Sequence, residues 1–465
     1  MKPISPGARS RVRTVVDGAA SHVLPPELHH PYPLVVRGRG VWVEQADGTT
    51  YLDAMSGGSM AATIGLGREE IAEAARAQAR RVSFVHNEWL TNPEQERLAQ
   101  RLIELVPDDY ARVSFVTGGA EANEAALRLA RSYHVERGEP GRWRVVSPAQ
   151  AYHGPTFATL ALTGRPGLHG PLAPYLPEML HIPPCTSQLD PTGEQALAAL
   201  DAILDEVGGE TISAYYCEGV SAASLPAYTP PDRFWKGIAE RAERHGFLVC
   251  FDEIVTGLGR TGSWFAEQQL PIVPDIVATA KGLGGGYAAI GAVLCTQAVY
   301  DAVAAGSGRL TLGHTWNGAP VSCAVANAVL DVLVGERLVE HVAANGPRLR
   351  DRLAEALRDV SIVRDVRGRG YLLGVEYADP RDMTAFLPPQ LRAAARIDRA
   401  AMERRLVTLS VQPTRDGYAG DQSLFAPAFT STEEELSEMV ERFADAVRVV
   451  DAEIGRELEG AGAPA

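Results

Sequence analysis

Lysine is rare in this sequence, and the position of one lysine suggests covalent chemistry. Of the 44 basic residues only Lys2, Lys236 and Lys281 are lysines. Arginine keeps its proton near neutral pH, whereas a desolvated lysine can lose it and act as a nucleophile. Lys2 lies near the N-terminus and Lys236 on a predicted polar helix face, so Lys281 is the candidate nucleophile. Taken alone, such a lysine is more often structural, with its ammonium group reaching solvent.

Two acids precede this lysine in the chain. The apolar run 247–251 predicts a strand that ends at Asp252 and Glu253. Open α/β sheets bind their ligands at the carboxyl ends of strands, so we expect one of these acids to face a site. The alternative is a carboxylate that caps the glycine-rich loop after it. Lys281 also follows a predicted strand, at 276–278, so a second polar side chain is expected to lie at a strand end.

A third strand end carries glycines rather than charges. Residues 115–124 run from a strand through Thr117, Gly118 and Gly119 into a helix that begins near Ala120. The free backbone N–H groups of a helix N-terminus bind anions, so this segment is a candidate phosphate cradle. The alternative is an ordinary strand-to-helix turn whose acidic residues complement the helix dipole.

Strands and helices alternate over residues 61–325, which we predict to form a large α/β domain. The predicted strands are 113–116, 144–146, 212–217, 247–251, 276–278 and 290–294. Alternation of this kind predicts a mainly parallel central sheet with helices packed on it. The sheet is the element that would bring the acid, the lysine and the anion cradle together.

The two ends of the chain are predicted to form a smaller α+β domain, from residues 1–60 and 326–465. Residues 34–52 alternate in polarity around turn signals, which predicts an antiparallel meander. Thr432 and Glu435 form a capping box at the start of a final helix. That helix is predicted to bury Leu436, Met439, Val440, Phe443, Val447 and Val450.

Composition excludes several classes of protein. The formal net charge of −14 over 465 residues argues against nucleic acid as the partner, because proteins that bind it present basic surfaces. No apolar run is long enough to cross a membrane, and no secretory signal is expected, which favours a cytoplasmic protein. The five cysteines have no C-x-x-C spacing, so we expect reduced core residues and no metal site. Small molecules are the expected ligands.

Two motifs in order resemble the class III aminotransferases, which are pyridoxal-phosphate enzymes of fold type I. The run D-E-I-V-T-G-L-G-R-T-G at 252–262 is similar to the family signature D-E-V-x-T-G-x-G-R-T-G, and Ala280-Lys281-Gly282 is similar to the cofactor-lysine segment. The resemblance extends from about Val36 to about Arg448. It implies the fold type I architecture, with pyridoxal 5'-phosphate as the cofactor.

The resemblance also implies roles for individual residues. Lys281 would hold the cofactor as a Schiff base and later move a proton, while Asp252 would bond the pyridine nitrogen. Gly119 and Ala120 would donate backbone N–H groups to the phosphate, although relatives often have serine where this chain has Ala120. The other implied cofactor contacts are Tyr152 stacked on the ring, Ile254 on its opposite face, His153, Glu218, and Thr315 reaching the cofactor phosphate of a neighbouring subunit.

That last contact implies a homodimer with shared active sites. Substrate contacts are less well defined by the resemblance. Trp89 falls where relatives line the substrate pocket, and an ordinary packed aromatic is equally compatible with its position. Relatives that bind a carboxylate have a mobile arginine before a Gly-Asp-His stretch. Here Arg415 is the candidate, although it lies upstream of the family position and a surface loop residue is the stronger alternative.

The resulting prediction is an aminotransferase that moves an amino group from a primary amine or (ω-)amino acid to a 2-oxo acid by a ping-pong mechanism. The same cofactor also supports lyases, decarboxylases, racemases and aminomutases, which the cofactor motifs do not separate. A non-catalytic member of the family is a further alternative, and it predicts loss of Lys281 or Asp252. Both residues are present.

Overall fold

The computed structural model describes residues 15–16, 19–26, 32–310, 313–413, 417 and 419–461. In that part of the chain the strands are β1 (Val15–Val16), β2 (Ala19–Ala20), β3 (Val35–Arg39), β4 (Trp42–Gln45), β5 (Thr50–Asp53), β6 (Tyr110–Val116), β7 (Arg144–Pro148), β8 (Leu180–Ile182), β9 (Ile212–Cys217), β10 (Leu248–Asp252), β11 (Ile276–Thr279), β12 (Gly291–Thr296), β13 (Val363–Arg369), β14 (Leu372–Tyr377), β15 (Leu406–Val407), β16 (Leu409–Val411) and β17 (Gln422–Phe425). The α-helices are α1 (Glu69–Arg81), α2 (Pro93–Ile103), α3 (Gly119–Glu136), α4 (Phe157–Leu162), α5 (Pro166–His169), α6 (Glu194–Val207), α7 (Asp232–His245), α8 (Gln297–Ala305), α9 (Pro320–Gly335), α10 (Leu338–Ala356), α11 (Ala393–Glu403) and α12 (Glu433–Ala461).

The central sheet has seven strands in the order β6-β12-β11-β10-β9-β7-β8. Only β12 runs against the others, pairing antiparallel with both β11 and β6. The predicted α/β fold with a mainly parallel sheet is therefore confirmed, and each of the six predicted strands is present. The short strand β8 was not predicted.

The inner strands are mainly apolar and are buried along their whole length because helices cover both faces of the sheet. Every residue of β9, β10, β11 and β12 is buried. Helix α3 turns a row of small side chains toward the sheet, with Ala122, Ala126 and Ala130 all buried in one apolar cluster. Small side chains bring the helix axis close to the strands, and its first turn then lies beside their carboxyl ends.

Strand register brings two of the chemically active side chains together. Strands β10 and β11 are parallel neighbours, and Asp252 at the end of β10 pairs with Ala278. Lys281 follows two residues after Thr279, the last residue of β11. The acid and the lysine therefore lie at the same edge of the sheet.

The N-terminal and C-terminal parts of the chain meet in a second sheet. Strands β3, β4 and β5 form the predicted antiparallel meander, which is confirmed. Strand β15 adds to it in parallel, with Leu406 opposite Leu52. A further antiparallel sheet, in the order β13-β14-β17-β16, completes this region. The predicted boundary between residues 325 and 326 falls inside α9, and the domain limits remain a prediction.

The final helix begins as predicted. The Glu435 backbone N–H donates to the Thr432 hydroxyl at 3.2 Å, and the Thr432 N–H donates to the Glu435 carboxylate at 2.9 Å. The six apolar residues expected on its inner face are all buried. All five cysteines are buried and free, as expected of reduced core residues. Among the helices described, none combines the length and apolarity required to span a bilayer.

Candidate active site

A cavity of about 520 Å³ lies at the carboxyl ends of the central strands. Its size falls within the range of roughly 300 to 1,000 Å³ typical of small-molecule sites. Eight of the nine predicted cofactor contacts are on its wall, namely Gly119, Ala120, Tyr152, His153, Glu218, Asp252, Ile254 and Lys281. Side chains from four strand ends and from the start of one helix therefore converge on a single space.

The first turn of α3 provides the anion-binding part of the wall. Gly118 precedes the helix in extended conformation, with no side chain capping it. A Cβ atom on Gly119 would lie only 2.8 Å from Cδ1 of Ile254, so a larger residue here would displace the Ile254 side chain. Backbone N–H groups of the first turn have no partner within the helix, and they carry the positive end of its dipole. This part of the wall suits a phosphate.

Asp252 is held by three hydrogen-bond donors. The Ile254 backbone N–H donates to Oδ1 at 2.9 Å. Oδ2 accepts a bond from Nδ2 of Asn123 at 2.7 Å and lies 2.8 Å from Nδ1 of His153. A carboxylate oxygen accepts hydrogen bonds, so a proton on His153 Nδ1 makes this contact a hydrogen bond to Oδ2. The remaining lone pairs on Oδ1 are available to a donor in the cavity.

The second acid of the pair points away from the cavity. Glu253 accepts hydrogen bonds from the backbone N–H groups of Ala266 and Glu267 at 2.7 and 2.8 Å and from the Thr256 hydroxyl at 2.8 Å. Burial raises the pKa of Glu253 to about 6. Asp252 is therefore on the cavity wall, while Glu253 holds the loop that follows.

Lys281 lies on the cavity wall in an uncommon backbone conformation, with a φ of +37°. Desolvation lowers the pKa of its ammonium group, and the negative charges of Asp252 and Glu218 oppose that effect. The other lysine that the structure describes, Lys236, is exposed on α7. Burial thus makes the Lys281 amine a better nucleophile than a surface lysine.

Glu218 adds a second carboxyl group to the wall, at the end of β9. It accepts backbone hydrogen bonds from Ala222 at 3.0 Å and from Tyr152 at 3.4 Å. Burial raises the pKa of Glu218 to about 7, and the negative charge of Asp252 adds to this effect while His153 opposes it. Glu218 is therefore divided between its charged and neutral forms near neutral pH.

Three predicted contacts are not on this wall. Thr315 is exposed in the single chain. Trp89 is 83% exposed and lines a different cavity, together with Arg309 and His314. Arg415 lies outside the described residues.

Two buried residues in the site were not predicted. Asn123 on α3 contacts both Asp252 and His153, and the Tyr216 hydroxyl donates to Asn123 Oδ1 at 2.7 Å. One sequence signal was available, because Asn123 is a polar residue on the alanine-rich face of α3. Nothing in the sequence indicated which side chain it would meet.

Comparison with known proteins gives the family. The profile described as aminotransferase class III matches residues 24–447. The uncharacterized aminotransferase YodT of Bacillus subtilis is 30% identical over 444 residues, which cover 94% of this chain and 100% of YodT.

The described residues contain no group of three or more His, Cys, Asp or Glu side chains that could hold a metal ion.

Solved structures agree with this match. A thermostable (S)-enantioselective omega-transaminase from Thermomicrobium roseum superposes with a TM-score of 0.84 at 34% identity, covering 92% of this chain and 96% of its own. An amine transaminase from an uncultivated Pseudomonas species, solved in the PLP-bound form, gives a TM-score of 0.84 at 28% identity, covering 93% and 99% of the two chains. The expected resemblance is confirmed: the chain belongs to the class III aminotransferases, a pyridoxal-phosphate-dependent family, and is a transaminase.

Proposed function

We propose that this transaminase holds pyridoxal 5'-phosphate in the 520 Å³ cavity and moves an amino group from a primary amine or ω-amino acid to a 2-oxo acid. The observation that carries the proposal is the convergence of Lys281, Asp252 and the α3 N-terminus on one cavity wall. When bound, the cofactor supplies an aldehyde that accepts an amine and a ring that withdraws electrons. The chain would have to supply an amine, an acid and a phosphate site, and we assign these roles to Lys281, Asp252 and the first turn of α3, all on the cavity wall.

The anion site is built from the backbone. In the proposal Gly119 and Ala120 donate N–H groups to the cofactor phosphate from the first turn of α3, where the helix dipole favours negative charge. Ala120 has no hydroxyl, and the Thr117 hydroxyl at the cavity wall donates its proton to the Glu121 carboxylate, so the helix backbone supplies the available donors. The Glu121 carboxylate accepts the Thr117 backbone N–H at 2.9 Å and so fixes the turn that leads into the helix.

Lys281 and Asp252 have different roles in the proposed reaction. The Lys281 amine, whose pKa is lowered by burial, bonds the cofactor and later takes and returns a proton at Nζ. Asp252 would accept a hydrogen bond from the pyridine nitrogen and would keep that nitrogen protonated. Tyr152 and Ile254, both on the wall, would bound the ring on its two faces. Glu218 and His153 complete the proposed polar contacts.

The proposed donor class follows from the rest of the wall. Apart from the polar groups already described, it is lined mainly by apolar side chains such as Val220, Ala223 and Ile290, and no arginine is among its described residues. An apolar wall favours the hydrocarbon part of an amine, whereas a carboxylate beside the reacting carbon would need a cation. Arg415 remains the proposed carboxylate ligand for acids that bind, and Trp89 the proposed aromatic neighbour of the substrate.

A homodimer is proposed to complete the site. Thr315 is exposed in the single chain, and the large apolar side chains of Trp89, Leu90 and Trp316 are exposed as well. Exposed apolar groups of this size favour contact with another chain. In the proposed dimer Thr315 donates its hydroxyl to the phosphate in the neighbouring subunit.

Borohydride reduction followed by peptide mapping tests the cofactor site. The chain has only three lysines, so a reduced pyridoxyl adduct can be assigned without ambiguity. We expect the adduct on Lys281, with no amino transfer by Lys281→Ala and normal transfer by the exposed-lysine control Lys236→Ala. An adduct on Lys2 or Lys236 would refute the site. Release of ammonia without an aminated acceptor would refute transfer.

Subunit mixing tests the shared site. A heterodimer of one Lys281→Ala chain and one Thr315→Val chain contains one intact site if Thr315 acts on the neighbouring subunit. It contains no intact site if Thr315 acts within its own chain. We expect about half of the wild-type activity, with wild-type cofactor affinity in the active half. Activity no higher than that of the Thr315→Val homodimer would contradict the proposed contact.

A further inference from the structure

We propose that Tyr216 is a positioning residue for amino transfer, acting on Asp252 through Asn123. This inference rests on the function proposed above, because it assigns a role toward the acid that would face the pyridine nitrogen. Tyr216 is on β9, the strand that pairs in parallel with β10, on which Asp252 lies. Tyr216 is not on the cavity wall, so its effect must pass through other side chains.

The contacts form a continuous buried chain. The Tyr216 hydroxyl donates to Oδ1 of Asn123 at 2.7 Å. Nδ2 of Asn123 then donates at 2.7 Å both to Oδ2 of Asp252 and to the backbone carbonyl of His153. Tyr216 and Asn123 are fully buried, and Asp252 is 5% exposed. Asn123 Nδ2 uses both of its hydrogens in this chain, and burial leaves little room for solvent to replace any of the partners.

The Tyr216 hydroxyl stabilises the orientation of the Asn123 amide that its other two partners require. The Asp252 carboxylate and the His153 carbonyl only accept hydrogen bonds, so the NH₂ group must point at them and the amide oxygen must point at Tyr216. Burial raises the pKa of the Tyr216 phenol well above its ordinary value, and the hydroxyl therefore remains a donor throughout the working pH range. Without it, the Asn123 oxygen would be buried with no donor, which weakens the orientation that serves Asp252.

Tyr216 also touches the second donor to the same carboxylate oxygen. Its ring packs edge-on against the His153 imidazole, with centroids 5.2 Å apart and an interplanar angle of 81°. His153 Nδ1 lies 2.8 Å from Oδ2 of Asp252. One side chain therefore supports both donors that hold Oδ2, and through them it fixes the orientation of the Asp252 carboxylate on the cavity wall.

The adjacent residue supplies a matched control. Tyr215 is on the same strand, is equally buried, and points to the opposite face of the sheet. Its hydroxyl makes no hydrogen bond within the part of the chain that the structure describes. Tyr215→Phe and Tyr216→Phe therefore remove the same atom from neighbouring buried sites, and only Tyr216→Phe breaks the contact with Asn123.

The test compares these two variants with the wild-type holoenzyme in three measurements: kcat and KM for the amine, the pH dependence of the visible absorbance of bound cofactor, and the affinity of the apoprotein for pyridoxal phosphate. For Tyr216→Phe we expect kcat to fall about 3- to 10-fold, the range for loss of one hydrogen bond, with KM for the amine nearly unchanged. We also expect weaker cofactor binding and a shifted absorbance profile. Tyr215→Phe should match the wild type in all three measurements.

Equal behaviour of the two variants would overturn the inference while leaving the proposed function intact. Absence of amino transfer or of a Lys281 adduct in the wild type would instead refute the proposed function. If Tyr216→Phe does not fold, Asn123→Leu tests the same relay, because it keeps the approximate volume and removes the donor to Asp252. A wild-type kcat and absorbance profile in Asn123→Leu would overturn the inference as well.

Discussion

Replacing Glu267 by glutamine is expected to make the folded protein less sensitive to alkaline pH. The Tyr110 hydroxyl lies 2.6 Å from Oε2 of Glu267 and 2.8 Å from the backbone oxygen of Pro274. One hydroxyl carries one proton, so Tyr110 can donate to only one of them. If it donates to Pro274, the carboxyl group must donate to Tyr110 and must itself be protonated. Burial raises the pKa of Glu267 to about 8, and the charge of Glu253 adds to the effect.

The magnitude follows from this pKa. Between the ordinary value of 4.5 and about 8, the folded chain binds a proton at Glu267 that the unfolded chain has lost. Stability therefore falls as pH rises through this window and levels off above it. At about 1.4 kcal/mol for each pKa unit, the penalty is about 1 kcal/mol at pH 5 and between about 4 and 5 kcal/mol above pH 8. Glutamine is neutral throughout and removes the pH-dependent part.

Urea unfolding at pH 5, 6, 7, 8 and 9 measures this difference for the wild type and Glu267→Gln. A constant offset from packing of the amide appears at every pH and does not affect the test. We expect the variant to gain about 3 kcal/mol or more relative to the wild type between pH 5 and pH 9. Glu206→Gln, at an exposed position on α6, is the control and should run parallel to the wild type. A parallel curve for Glu267→Gln would show that Glu267 is ionised in the folded protein.

Two further substitutions test the site and its support. Asp252→Asn keeps the size of the side chain and removes its charge, so we expect kcat to fall about 100- to 1000-fold with little change in thermal stability, measured by steady-state kinetics and calorimetry. Arg260 is fully buried and donates to the backbone oxygens of Tyr371 and Pro427 and to the Ser56 hydroxyl. Arg260→Met leaves these acceptors unpaired, and we expect a loss of about 2 to 4 kcal/mol in urea unfolding. An unchanged midpoint would contradict that role.

The strand-end pattern predicted the central part of the site because parallel strands finish at one edge of a sheet. Asp252 and Lys281 both follow apolar runs, and the register of β10 with β11 puts them together. The direction of β12 could also have been predicted. Residues 280–290 join it to β11 through a glycine-rich loop without an α-helix, and a parallel connection needs a crossover of a dozen or more residues.

Contacts between distant elements could not be predicted in this way. Tyr216 and Asn123 are 93 residues apart, and each looks like one polar residue on a buried face. Periodicity assigns a face to a side chain and does not identify the side chain opposite. The contact implied for Thr315 could not be predicted from the pattern for another reason. It involves a second chain, and the pattern of one sequence describes only the folding of that chain.

Three buried glutamates show how hydrogen-bond donors affect the pKa of a buried carboxyl group. Burial raises the pKa of three glutamates. The increase is smaller where the carboxyl group accepts more and shorter hydrogen bonds. Glu253 accepts three hydrogen bonds of 2.7 to 2.8 Å and has a pKa of about 6. Glu218 accepts three longer ones, of 3.0 to 3.4 Å, and has a pKa of about 7. Among the described residues, the Glu267 carboxyl group hydrogen-bonds only Tyr110, and its pKa is about 8.

A donor that approaches a carboxylate stabilises its charged form, so donors decide which of these acids is ionised at neutral pH. Asp252 accepts three hydrogen bonds of 2.7 to 2.9 Å, as Glu253 does, yet two of its donors are side chains rather than backbone N–H groups. Side-chain donors can be lost by substitution without changing the path of the backbone. The orientation of this carboxylate on the cavity wall therefore depends on His153 and Asn123, and through them on Tyr216, which does not line the cavity.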